Sequence, residues 1–249
     1  MDGLSLRRRI ALDIARSMRK SQEEEHPLRQ LFWECTLRCN LRCQHCGSDC
    51  KQVAATPDMP KEDFFKVLDS IAAKTDPHKV FVIISGGEPT MRADLEECGK
   101  GIYSRGFPWG MVTNGFGMTA ERFSRLLGAG LHSMTVSLDG LEENHDWLRG
   151  REGSFTRAAE TIRMAVRSGI AFDVVTCVNR RNYPQLPQLK EFLIGLGLKE
   201  WRLFSIFPQG RAALNPDLQL PPEMFRGMLD FIRETRKEGR IKASYGCEG

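Results

Sequence analysis

The chain predicts an α/β fold, a partial (β/α)6 TIM-like barrel with an N-terminal amphipathic helix. Three observations predict it. Short β-branched or aromatic runs alternate with helical apolar periodicity six times, and such alternation implies parallel strands with right-handed crossovers. The order is regular and carries no dinucleotide-binding fingerprint, which favours a barrel over the doubly wound sheet that also fits the alternation. Each strand run is followed by a turn rich in Cys, Gly, Asn, Asp or Glu, and barrels collect chemistry at those strand ends.

The elements follow in order. Leu6, Ile10, Ile14 and Met18, with Ala11 and Ala15, recur at helical spacing, while Arg7, Arg8, Arg9, Arg16 and Arg19 cover much of the remainder. The expectation is an amphipathic helix docked on the main domain; a basic helix also suits a membrane surface or an acidic leader peptide. SQEEEHP at 21–27 reads as a polar linker. Strand one is 30–34, with Leu31, Phe32 and Trp33. Pro60 opens a helix with Phe64, Val67, Leu68 and Ile71 on one face. Strand two is the β-branched run at 79–85, buried on both faces. A helix at 94–103 and a strand at 110–113 follow. A helix at 120–127, ended by Gly128 and Gly130, leads to a strand at 134–138. A helix at 155–168 ends at Gly169 before the strand at 172–178. The helix at 186–196, the strand at 201–207 and the helix at 223–236 complete the set. The division expected is 1–27 for the helix and linker, 28–212 for the barrel, and 213–249 for a C-terminal helix and the start of a Cys-rich extension.

The 249 residues suffice for one large or two small domains with a sizeable core. A net charge of +4, spread rather than blocked, does not indicate nucleic-acid binding. No apolar run is long enough to span a bilayer, and the N-terminus lacks the apolar region of a secretory signal. The expected compartment is the cytoplasm. There, the crowding of Cys35, Cys39, Cys43, Cys46 and Cys50 reads as metal-binding or catalytic rather than as a disulfide framework. Cys98 and Cys177 lie in apolar periodic segments and read as core thiols.

The stretch after strand one holds Cys39-x-x-x-Cys43-x-x-Cys46. Thiolates are soft donors suited to iron–sulfur clusters, zinc or copper(I). An iron–sulfur cluster usually takes four Cys, so three leave one iron open to a ligand that is not protein. A structural zinc site is the alternative, with His45 or Cys50 as the fourth donor, although the paired Cys-x-x-Cys spacing of a zinc ribbon is absent. Later strand ends carry Ser85-Gly86-Gly87-Glu88-Pro89, Thr113-Asn114-Gly115, Ser137-Leu138-Asp139-Gly140, Cys177-Val178-Asn179 and Phe207-Pro208-Gln209-Gly210-Arg211. Two glycines let a ligand approach backbone, and Glu88 offers a carboxylate for an ammonium group, with a tight strand–helix turn and a solvated Glu as the alternative. Ser137 and Asp139 suit ribose hydroxyls, with an Asx-turn as the alternative.

The Cys triplet followed by these turns resembles the core of the radical S-adenosylmethionine (radical SAM) enzymes, from about Leu31 to about Ala212. The resemblance implies a [4Fe–4S] cluster on Cys39, Cys43 and Cys46, with SAM chelating the open iron. It implies that Gly86, Gly87 and Glu88 receive the SAM amine, that Ser137 and Asn179 contact ribose or carboxylate, and that Thr113 and Asn114 line the pocket. Arg149 is a further candidate for the SAM carboxylate, with a surface ion pair as the alternative. His45 stands where an aromatic residue commonly precedes the last Cys, so the group against the adenine differs. The implied activity is reductive cleavage of SAM to a 5′-deoxyadenosyl radical that takes hydrogen from a substrate. That substrate is expected to be a peptide or protein. The alternatives are a small molecule in cofactor biosynthesis, such as a haem-related or molybdenum-cofactor step, and a non-catalytic zinc module. An external flavodoxin- or ferredoxin-like electron donor is the implied partner. The layout resembles the SPASM/twitch-type group, and more faintly a branch found beside small lipoproteins. On that likeness, Cys247 looks like the start of a Cys-rich C-terminal domain, the rest of it missing.

Overall fold

The computed structural model describes residues 5–246. Its strands are β1 (Gln30–Glu34), β2 (Phe81–Ser85), β3 (Trp109–Thr113), β4 (Leu131–Ser137), β5 (Ala171–Val178), β6 (Glu200–Ser205) and β7 (Lys242–Tyr245). They pair in parallel and strictly in chain order, so the sheet begins at β1 and ends at β7. The helices are α1 (Leu6–Glu25), α2 (Lys61–Ala72), α3 (Leu95–Tyr103), α4 (Ala120–Gly128), α5 (Glu142–Arg149), α6 (Ser154–Ser168), α7 (Leu186–Gly195) and α8 (Pro222–Glu238). This is the α/β partial barrel that the alternation predicts.

The strands are short, so each spends alternate residues on one of two faces. Val82 and Ile84 on β2, Val174 and Val178 on β5, and Trp201 and Leu203 on β6 are buried in one core. Leu68, Leu95, Ile102, Ile162 and Leu193 of the helices share that core. Trp33 of β1 stacks on Phe64 of α2 at 3.9 Å between ring centroids. The opposite face of the strands points inward, where Ser85, Val112 and Ser137 line a cavity. Further in, Asp173 of β5 accepts from Thr135 of β4 (2.7 Å) and from Arg202 of β6. The Asp173–Arg202 ion pair and the Thr135 hydroxyl thus link three adjacent strands by polar contacts on the inner face.

Three expectations differ from the structure. α5 was not visible in the sequence because its buried face is polar: Asn144, His145 and Arg149 are buried together with Leu148, so no apolar period appears. The short β7 carries no recognisable period either. It pairs with β6, and α8 packs Met228 and Ile232 into the main core, so residues beyond 212 continue the same sheet. Cys247 lies outside the described residues. The N-terminal helix does form, but it does not dock: Leu6, Ile10, Ile14 and Met18 are all exposed. It also runs through Glu25 into the expected linker, since Gln and Glu favour helix. Among the described residues no helix is long and apolar enough to cross a membrane.

Candidate functional site

The Cys loop leaves β1 and is held from three directions. Its neck closes where the Cys39 amide donates to the Lys51 carbonyl at 2.8 Å. From β2, the Gly87 and Glu88 amides donate to the Thr36 and Arg38 carbonyls at 2.7 and 2.9 Å. From α5, the Leu148 carbonyl accepts from the Gln44 amide at 2.8 Å. From the turn after β6, Arg211 donates through Nε to the Cys43 carbonyl (2.7 Å), through Nη1 to the Cys50 carbonyl (3.1 Å), and through its amide to the Cys46 carbonyl (3.0 Å).

This packing explains the glycines. A Cβ on Gly86, whose φ is +133°, would lie 2.2 Å from the Thr36 carbonyl oxygen, and one on Gly87 would lie 2.2 Å from that of Arg38. The close approach expected for a ligand is therefore made first by the Cys loop itself. Gly210 has the same role on the far side, 2.5 Å from the Cys46 oxygen on the same construction.

Cys39, Cys43 and Cys46 line one cavity with Gly86, Gly87, Glu88, Thr113, Asn114, Ser137 and Arg149. Asn179 is not among its walls. It is buried in the turn after β5, where its Oδ1 accepts from the Arg181 and Asn182 amides at 2.9 and 3.1 Å. Cys50, outside the spaced triplet, lines the same cavity as a fourth thiol.

Glu88 is buried and heavily engaged. Oε1 accepts from the Thr90 amide (3.1 Å), the Thr90 hydroxyl (2.8 Å) and the Thr113 hydroxyl (2.8 Å); Oε2 accepts from the Asn114 amide (2.7 Å). The carboxylate ties the end of β2 to the end of β3. Oε2, with one donor, keeps acceptor capacity toward the cavity. Arg149 is no surface residue either. It is buried, its Nε donates to Asp139 Oδ2 at 2.6 Å, and its Nη1 reaches Cys43 Sγ at 3.7 Å. Asp139, expected to suit ribose, is committed, because Oδ1 also accepts from the Cys177 amide at 2.8 Å. Burial pushes the Asp139 carboxyl up, but the Arg149 charge and the nearby His45 and His145 hold it below its usual range. His45, Asp139 and Cys177 place their ligating atoms within 4.8 Å of one another. Asp139 is spent on Arg149 there, so the trio reads as a buried polar cluster.

Burial raises the Cys39 thiol to about 12 and the Cys50 thiol to about 11, and it raises Cys43 against the lowering pull of Arg149. Without metal these thiols hold their protons, so a metal group must displace them. The donor set fits an iron–sulfur cluster: clustered thiols, N–H groups from Asn114 (3.9 Å to Cys39 Sγ) and Arg149 turned toward sulfur, and cationic Arg149 and Arg211 beside them. The Nδ1 of His45 is buried with no partner among the described residues, an unspent polar atom at the cavity wall. No sequence signal marks Arg211 as the clamp of the loop. Its position in Pro208-Gln209-Gly210-Arg211-Ala212 carries no periodicity, and only the spatial return of β6 brings it there.

The chain is 29% identical to the AdoMet-dependent heme synthase of Methanosarcina barkeri over 88% of its own length and 62% of that protein. It is 26% identical to the PqqA peptide cyclase of Rhizobium meliloti over 87% of its own length and 56% of that protein. It thus spans about three fifths of the length of these relatives. Among solved structures, Streptococcus suis SuiB bound to S-adenosylmethionine shares the fold, with a TM-score of 0.71 at 15% identity, covering 100% of this chain and 58% of SuiB. The model of the Radical SAM superfamily matches residues 33–193, from β1 to α7 and across the Cys loop and its three supports except Arg211, and so the chain belongs to the radical SAM superfamily.

Proposed function

We propose that Cys39, Cys43 and Cys46 hold a [4Fe–4S] cluster and that the cavity beside them takes S-adenosylmethionine. The observation that carries this reading is the convergence of those three thiols on one cavity wall with Gly86, Gly87, Glu88 and Ser137. When bound, such a cluster supplies the electron that splits the SAM carbon–sulfur bond, giving methionine and a 5′-deoxyadenosyl radical that removes hydrogen from a substrate. The protein's own residues bind and enclose. The backbone at Gly86–Gly87 and the free side of Glu88 Oε2 receive the SAM ammonium, Ser137 the ribose, and Arg149 the carboxylate. Thr113 and Asn114 fix Glu88 in place. Asn179 shapes the β5 turn. The substrate we infer is a peptide or protein, in line with the likeness to PqqA peptide cyclase; the likeness to heme synthase supports a tetrapyrrole as the second reading. The reductant is an external one-electron donor of the flavodoxin or ferredoxin type, and the compartment is the cytoplasm.

Anaerobic reconstitution with iron and sulfide, followed by dithionite and SAM, tests the reading. About four irons per chain and release of 5′-deoxyadenosine are expected. Cys43→Ser should abolish both, whereas Cys50→Ser should retain the iron. Zinc without iron in the reconstituted protein would overturn the proposal.

A further inference from the structure

α1 buries nothing. Every described side chain along it is exposed, including Leu6 (74%), Ile10 (51%), Ile14 (55%) and Met18 (62%). These four follow one another at i, i+4 spacing with Ala11 and Ala15 beside them, so they form one apolar stripe. At 3.6 residues per turn, Arg8 and Arg19 fall along one margin of the stripe, and Arg9 and Lys20 along the other, which they share with Asp13. Arg16 lies within the polar face, 3.4 Å from Asp13. Arg7 stands on the apolar side, where its long stem can carry the charge outward.

Three physical points select the occupant. A lone convex helix offers no groove, while capture of a peptide uses a groove or a sheet edge. A second copy laid on the same stripe would bring its Arg margins against these Arg margins, and like charges across an interface are costly. A flat anionic surface with an apolar layer beneath it satisfies both the stripe and its two cationic margins.

We propose that α1 binds an anionic phospholipid surface, lying in the plane of the membrane with Leu6, Ile10, Ile14 and Met18 among the acyl chains and the flanking cations at the headgroups. The proposal concerns α1 alone and stands or falls independently of the cluster.

Vesicle flotation of the full chain tests it, using phosphatidylcholine vesicles with and without phosphatidylserine. The protein is expected to float with the anionic vesicles, less so as salt rises, and to stay behind with neutral ones. Changing Arg8 and Arg9 to Ser should weaken partition roughly fivefold for each residue. Ile10→Glu with Ile14→Glu should abolish it while leaving near-UV circular dichroism and thermal unfolding unchanged, since neither side chain is buried. Four outcomes would overturn the proposal: no flotation with anionic vesicles at low salt; equal flotation with neutral vesicles that survives the Ile variants; a concentration-dependent dimer dissolved by those same variants; or binding of a labelled polyglutamate peptide in place of vesicles. The lipid and salt series on the unmodified chain decides the matter even where a variant is poorly behaved.

Discussion

At Gly86, two demands meet on one residue: a φ of +133° and a carbonyl oxygen in the space a Cβ would fill. Gly86→Ala should therefore cost at least about 1–3 kcal/mol from backbone strain alone, with further loss from displacing the Cys loop. Chemical denaturation and the iron content after reconstitution read the two effects separately. His145 offers a pH test. Burial first, and then the Arg149 charge, lower its imidazole from 6.5 to about 4. Above pH 6.5 the folded and unfolded chains are both neutral there. As pH falls from 6.5 toward 4, the unfolded chain takes a proton that the fold refuses, so stability falls by up to about 3 kcal/mol. His145→Asn, which keeps an acceptor for the Asp139 amide, should lessen the loss seen in denaturant midpoints between pH 7 and pH 4.5, and the buried His45, lowered likewise to about 4, supplies part of what remains. The Cys triplet was legible because ligand spacing is a local property. The turn glycines were legible as points of close approach, but what approaches them is the chain itself. The Asp139–Arg149 pair and the Arg211 clamp were not legible, because each joins residues that only the fold brings together.

The strands and apolar helices of the core were readable from period alone, to within a residue or a few at their ends. α5 was not, and its role shows why it is polar. It presents Arg149 to the cavity and Asp146 to the next helix. Asp146 accepts from the Gly153 amide (2.7 Å), the Ser154 hydroxyl (2.8 Å) and the Phe155 amide (2.8 Å). α6 has no side-chain cap at its own N-cap residue, Gly153, so α5 supplies one. Asp146→Ala should destabilise the protein by about 1–2 kcal/mol through lost amide partners and the helix dipole. Thermal unfolding would show it, and an unchanged midpoint would contradict the capping role. α1 stands at the opposite extreme. Its period is legible, but amphipathic helices ordinarily bury their apolar face, and here that face stays open.

The whole sheet places the Cys loop between two spaces. Inward is the cavity; outward is a hollow lined by Arg42, Lys51, Gln52 and Arg151, and Cys39 and Cys50 border both. If the proposed reductant is acidic, its charge complement is Arg42, Lys51 and Arg151 in that hollow, beside Cys39 and Cys50. Arg42→Glu with Lys51→Glu should slow reduction by a plant-type ferredoxin at low salt by tenfold or more, by the scale of electrostatic steering. Reduction by dithionite should be unaffected, and equal slowing with both reductants would remove the hollow from the electron path.

The grip of Arg211 on the Cys43 carbonyl joins residues 168 apart in the chain. On a ribosome adding roughly 5–20 residues per second, the Cys loop is made many seconds before its clamp. During that interval the nascent chain carries all the loop thiols without the β6 turn that encloses them. The donor set is written early and the enclosure late, so a polypeptide released before β6 would hold every proposed ligand and still lack the finished site.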